Sequence, residues 1–126
     1  MKKKILVVDD EPDFLDLISQ RLKENNYEVI TASDGKEGLE KIKNERLDVV
    51  LLDILMPKLN GLDTLKKIRK HDKHLPIFII TAYSDQKLFD KAKDMGASGF
   101  IVKTGDLSQE VKNINKVLSV ADKYCQ

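Results

Sequence analysis

The chain has 126 residues, enough for one domain and too few for a second hydrophobic core. Its 22 Lys and Arg against 21 Asp and Glu leave a formal charge of +1, without the basic excess of a dedicated nucleic-acid binder. Charged residues make up 34% and hydrophobic residues 41%, no apolar run approaches the roughly 18 residues of a membrane span, and Ile5 to Val8 after Lys2-Lys3-Lys4 is too short for a signal-peptide core.

In chain order, Ile5 to Val8 opens the pattern as a continuous apolar run, the signature of a strand buried on both faces. Phe14, Leu17, Ile18 and Leu22 then recur at helical spacing, with Asp16, Gln20 and Lys23 on the other face. Asn25-Asn26 marks a turn. Val29 to Ala32 is a second, weaker strand that suits a sheet edge, and Asp34-Gly35 leads into a helix marked by Leu39 and Ile42. Val49 to Leu52 is the third strand; Met56-Pro57 and Asn60-Gly61 break the chain before a helix carrying Leu62, Leu65 and Ile68. Ile77 to Ile80 is the fourth strand, Leu88, Ala92 and Met95 mark the fourth helix, and Met95-Gly96 ends it. Phe100 to Val102 and the stripe Leu107, Val111, Ile114 and Leu118 complete five strand–helix units.

Strict alternation predicts a doubly wound α/β fold with a parallel sheet, residues 1–126 forming a single domain. With right-handed crossovers the commonest five-strand arrangement is the flavodoxin-like (βα)5 order 2-1-3-4-5. Ligands in such sheets bind beyond the carboxyl ends of the strands, where the order reverses. In this chain that edge collects Asp9 and Asp10 after strand one, Asp53 after strand three, Thr81 after strand four and Lys103 after strand five. Three close carboxylates repel unless a cation joins them. With Lys103 they leave two net negative charges, matching one divalent ion, and the all-oxygen donors favour Mg²⁺ over zinc or copper.

The same residues exclude direct nucleotide binding. A dinucleotide fold or a P-loop needs glycines after the first strand, and here Asp9-Asp10-Glu11-Pro12-Asp13 stands there. Asp10 or Asp13 is also a candidate N-cap for the first helix. His71 and His74 lack ligand spacing and read as exposed; Cys125 is the single cysteine, so no internal disulfide forms and the expected compartment is the cytoplasm.

Across nearly its whole length the chain resembles the receiver domains of two-component response regulators, of the single-domain chemotaxis type. The marks are Val7-Val8-Asp9-Asp10-Glu11, Leu51-Leu52-Asp53-Ile54-Leu55-Met56-Pro57 with Asn60-Gly61, Thr81-Ala82, and Gly96-Ala97 leading through Phe100 to Lys103. The resemblance implies a phosphoacceptor at Asp53, charged by a histidine kinase or a histidine phosphotransfer protein. It implies Mg²⁺ held by Asp9 (through a water), Asp10, Asp53 and the backbone carbonyl of Leu55. Lys103 and the Thr81-Ala82 pair match the phosphoryl-binding and switch positions, and Phe100 the aromatic that moves with Thr81. Leu55 and Tyr83 would flank the path of the hydrolytic water. The output implied is a change in the surface of helix four, strand five and helix five, read by a protein target or by an output domain outside this chain. Such a domain binds neither nucleic acid nor membrane itself, promotes its own phosphorylation and dephosphorylation, acts on no separate metabolite, and is a monomer or dimerises on phosphorylation.

Two positions depart from that pattern. Thr104 stands where the family usually has a proline after a cis peptide, predicting either a trans bond with an altered loop or a strained cis bond. Phe100 replaces the frequent tyrosine. Two other classes compete with the switch. An aspartate-nucleophile phosphatase expects D-x-D after the first strand, whereas Asp9 and Asp10 are adjacent. A receiver-like interaction module that is never phosphorylated is opposed by the presence of every acidic, Thr and Lys position.

Overall fold

A computed structural model of the protein describes residues 2–54, 61–82 and 85–124. Strands β1 (Lys4–Val8), β2 (Glu28–Ala32), β3 (Val49–Leu52), β4 (Ile77–Thr81) and β5 (Gly99–Val102) alternate with helices α1 (Pro12–Glu24), α2 (Gly35–Asn44), α3 (Gly61–His71), α4 (Gln86–Asp94) and α5 (Leu107–Tyr124). The strands pair in parallel in the order β2-β1-β3-β4-β5, the expected topology. The weak second strand lies at an edge, where Val29 and Ile30 are only partly buried, while β3 and β4 are buried throughout.

Because side chains alternate along a strand, each strand feeds two cores. Ile5, Val7, Val49, Leu51, Phe78, Ile80 and Ile101 pack with Leu15, Ile18 and Leu22 of α1 and Val111, Ile114 and Leu118 of α5. Leu6, Val8, Val50, Leu52, Ile77 and Ile79 pack on the other face with Ile42 of α2, Leu62, Leu65 and Ile68 of α3 and Ala92 of α4. The sheet is therefore covered on both sides, which is why its central strands read as unbroken apolar runs.

Helix α1 differs from its expected face. Leu17 is exposed, and Leu15 is buried with Ile18 and Leu22. At about 100° per residue, Phe14, Leu15, Ile18 and Leu22 share one arc, and Leu17 falls about 60° outside it. Nor do Asp10 and Asp13 cap this helix. Glu11 is the N-cap without a side-chain capping bond, Pro12 begins the first turn, and the Glu11 N–H donates to Asp9 Oδ1 at 3.0 Å. Proline at this position has no N–H left to satisfy.

At the start of α3 the packing admits only glycine. A Cβ on Gly61 would lie 2.1 Å from Ile54 Cα and 2.6 Å from the Asp53 carbonyl oxygen. The Gly61 N–H also donates to the Ile54 carbonyl at 3.2 Å. The Asn60-Gly61 signal thus marks a close approach of helix α3 to the backbone that follows β3.

Candidate functional site

Asp9, Asp53 and Lys103 each follow the last residue of a parallel strand, and each is tied to its neighbour by one more backbone bond. The Asp9 N–H donates to Ala32 at 3.1 Å, Asp53 to Val8 at 2.9 Å and Lys103 to Thr81 at 2.8 Å. Strand parity therefore extends to all three, and it places them on the α1–α5 face of the sheet edge, in register with Val7, Leu51 and Ile101. Thr81 falls on the opposite parity, with Ile77 and Ile79 on the α2–α3–α4 face.

The side chains meet as that parity requires. Lys103 Nζ donates to Asp9 Oδ2 at 2.5 Å and lies 3.3 Å from Glu11 Oε1 and 3.5 Å from Asp53 Oδ2. It also sits 4.2 Å from the centre of the Phe14 ring, so an aromatic face covers the ammonium from the α1 side. Asp9 is 0% and Asp53 5% exposed. Burial pushes the Asp9 carboxyl above its ordinary value, despite the opposing bonds from Lys103 and the Glu11 N–H. For Lys103 burial disfavours the charge, but the hydrogen bond to Asp9 and the fields of Asp9, Asp53 and Glu11 outweigh it. Its ammonium is held above the ordinary lysine value.

Asp9, Asp10, Glu11 and Asp53 each present a carboxylate oxygen, all within 4.8 Å of one another. The donors are hard oxygens, and neither His nor Cys belongs to the group. That set suits a hard divalent cation such as Mg²⁺, which shares such carboxylates with water and substrate oxygens. Glu11 is the addition here to the expected ligands. It lies one residue past the paired aspartates, and its side chain is 64% exposed.

Thr81 is 1% exposed at the end of β4, and Ala82 beside it is exposed. Phe100 pairs in register with Ile79 and is half-buried against the α2–α3–α4 core, its ring 4.8 Å from that of Phe89 on α4. Leu55 and Tyr83, expected as a metal ligand and as flanks of the water path, lie outside the described residues. His71 and His74 are exposed, as expected.

The Lys103–Thr104 peptide is trans; the described residues contain no cis bond. The loop beyond it is held differently from a proline loop. Glu110, only 3% exposed, accepts the Thr104 N–H at 3.0 Å and the Gly105 N–H at 3.4 Å on Oε1. Gly105 has φ +85° and nothing near its missing Cβ, so backbone conformation alone accounts for glycine there. Sequence reasoning passed over Glu110 and Phe14 as site-shaping residues. Glu110 had a signal: it stands in the stripe Leu107, Val111, Ile114 and Leu118, where an apolar residue belongs.

Comparison with known proteins agrees with this geometry. A family model described as the response regulator receiver domain matches residues 5–115. The alkaline phosphatase synthesis transcriptional regulatory protein PhoP of Bacillus subtilis is 41% identical over 105 residues, covering 82% of this chain and 43% of that protein. Among solved structures, chemotaxis protein CheY4 of Vibrio cholerae superposes with a TM-score of 0.86 at 32% identity, covering 93% of this chain and 99% of that one. Response regulator TrrA of Thermotoga maritima, solved in complex with Mg(2+)-BeF, gives 0.79 at 37% identity, covering 90% of this chain and 97% of that one. The chain spans about half the length of the curated relatives it matches.

Proposed function

The chain belongs to the response regulator receiver domain family of two-component systems, and from that membership we propose that it accepts a phosphoryl group on Asp53. The observation that carries this reading is the convergence of Asp9, Asp53 and Lys103 from three strands onto one sheet edge, with Lys103 Nζ facing both carboxylates. The family works with histidine kinases; the donor proposed here is a phosphohistidine of such a kinase or of a phosphotransfer protein.

An oxygen of Asp53 attacks phosphorus, the bond from phosphorus to the donor nitrogen breaks, and the product is an acyl phosphate on Asp53. Such transfer asks the protein for in-line positioning and charge stabilisation rather than covalent chemistry of its own. Asp9, Asp10, Glu11 and Asp53 are the described residues that would hold Mg²⁺, joined by the carbonyl of Leu55 in the family pattern. Bound there, the ion would neutralise charge on the phosphoryl oxygens. The Lys103 ammonium neutralises the nucleophile beforehand and a phosphoryl oxygen afterwards. The Mg(2+)-BeF complex of the Thermotoga maritima relative supports the choice of Mg²⁺.

The added charge on Asp53 draws the hydroxyl of Thr81 toward the phosphoryl group, and Phe100 follows into the space released. Phe100 stacks on Phe89, so this movement reaches α4 and alters the surface of α4, β5 and α5. Residues 1–126 act as one receiver unit in the cytoplasm, and the reader of that surface is a protein target or an output segment beyond this chain. No described helix is long and apolar enough to cross a membrane.

Intact mass after incubation with acetyl phosphate tests the proposal. The expected result is a gain of one phosphoryl group that requires Mg²⁺ and is absent in Asp53→Asn. A folded protein that binds Mg²⁺ and gains nothing refutes it.

A further inference from the structure

The bonds flanking Lys103 suggest a role for a residue that never touches the phosphoryl site. The side chain of Lys103 leaves a backbone pinned on both sides. Its own N–H is held by the Thr81 carbonyl at 2.8 Å, and the next N–H, that of Thr104, by Glu110 Oε1 at 3.0 Å. Those two bonds restrain φ and ψ at Lys103 and so the direction in which Cα–Cβ points. A proline at 104 would have no N–H to offer, so this anchorage exists because Thr104 stands there.

Glu110 is itself fixed. It lies in the first turn of α5, and its N–H donates to the Asp106 carbonyl at 3.0 Å. Asp106 Oδ1 accepts from the Ser108 and Gln109 N–H groups at 3.0 and 3.3 Å, and the Asp106 N–H donates to Thr104 Oγ1 at 3.1 Å. A buried carboxylate costs stability unless it is bonded, and this one spends its Oε1 on the loop immediately behind the lysine.

We propose that Glu110 is a positioning residue for Lys103, its carboxylate holding the trans Lys103-Thr104-Gly105 loop so that Nζ stays between Asp9 and Asp53. The rate readout rests on the phosphoacceptor reading above; the spectroscopic one does not.

The test uses the full chain with Glu110→Leu and Glu110→Gln, each made with Lys103 intact and with Lys103→Ala. Phosphorylation by acetyl phosphate and Mg²⁺ is followed by intact mass, and the Lys103 ammonium by its ¹H–¹⁵N signal, assigned by its loss in Lys103→Ala. Glu110→Gln keeps an acceptor oxygen and is expected to stay within roughly threefold of the parent rate, while Glu110→Leu falls about tenfold. In the Lys103→Ala background Glu110→Leu adds little further loss, because it acts through the lysine. The ammonium signal persists in Glu110→Gln and shifts or is lost to solvent exchange in Glu110→Leu.

Equal fold-losses in the two backgrounds would make Glu110 a general structural residue and overturn the proposal. So would an unchanged ammonium signal in a folded Glu110→Leu protein. Should that variant not fold, Glu110→Asp carries the same comparison, with the charge kept and the reach one methylene shorter. If the parent protein takes up no phosphoryl group, the phosphoacceptor reading fails and the ammonium signal still decides the role of Glu110.

Discussion

Replacing Lys103 with methionine removes the ammonium that faces the Phe14 ring while leaving most of the aliphatic stem. The lysine side chain is 9% exposed and Asp9 is fully buried, so the variant leaves Asp9 beside Asp10, Glu11 and Asp53 without the ammonium that now pairs with it. Breaking a buried ion pair from one side costs roughly 3–5 kcal/mol. Two features pull the figure to the lower end. Burial already raises the Asp9 carboxyl above its ordinary value, which lowers the cost of protonating it, and Glu11 stands in solvent. The expected loss without metal near neutral pH is about 3 kcal/mol, which at a urea slope of about 1.5 kcal/mol/M lowers the midpoint by about 2 M. The sign of the pH effect follows from the direction at Asp9. A carboxyl raised in the folded state binds its proton more tightly there than in the unfolded chain, so its contribution to stability falls as pH rises. Loss of Lys103 raises Asp9 further, and the deficit therefore narrows when the pH is lowered from neutral. Excess Mg²⁺ should also narrow it, since binding to the folded state adds stability by mass action. Urea unfolding of parent and variant in chelator at neutral and at lower pH, then with Mg²⁺, measures all three effects. A deficit below about 1 kcal/mol, or one indifferent to pH, would refute the electrostatic account of this edge.

Gly61→Ala, at the first residue of α3, gains little helix propensity and drives a methyl into the Asp53–Ile54 backbone, for an expected net loss of about 2 kcal/mol. Urea unfolding reads that loss, and mass analysis after acetyl phosphate should show slower uptake, because the displaced atoms carry Asp53. Asp72 is held below the ordinary carboxyl value by hydrogen bonds from the His74 and Leu75 N–H groups, aided by the fields of Arg69 and His74. Its contribution is present above the ordinary value of 3.8 and lost as pH falls through the lower folded value, so melting temperatures of Asp72→Asn and parent should differ near neutrality and converge in acid. A gap that persists in acid would refute the assignment.

The topology was legible because each central strand is a short unbroken apolar run, a pattern that arises only when both faces are covered. The edge residues Asp9, Asp53, Thr81 and Lys103 were legible for a related reason: each is where such a run stops. The face of α1 was not, because Phe14, Leu17, Ile18 and Leu22 fit a helical stripe as well without Leu15 as with it, and the sheet's shape decides. Glu110 was hidden by its chemistry. A charged residue in a stripe is ordinarily assigned to solvent, and only the two N–H groups that proline would have removed or displaced give it a reason to be inside.

Under the proposed function, alternation along the strands also explains how one edge would hold both the phosphoacceptor and a sensor of its state. Asp9, Asp53 and Lys103 share one parity and meet beside α1 and α5; Thr81 and Phe100 have the other, on the α2–α3–α4 face, where Phe100 meets Phe89 of α4. In the proposed switch a group added to Asp53 would therefore be sensed around the end of the sheet, since the buried strands leave no route through it. Thr81 is the last residue of β4, the strand between Asp53 and Lys103 in the sheet order, and its carbonyl already holds the Lys103 N–H. Any movement that carries the Thr81 backbone with its hydroxyl consequently pulls on the lysine loop, and through Thr104 on Glu110 and α5. In the proposed switch α4 and α5 thus respond to the same residue, α4 through Phe100 and Phe89, and α5 through the loop that Glu110 holds.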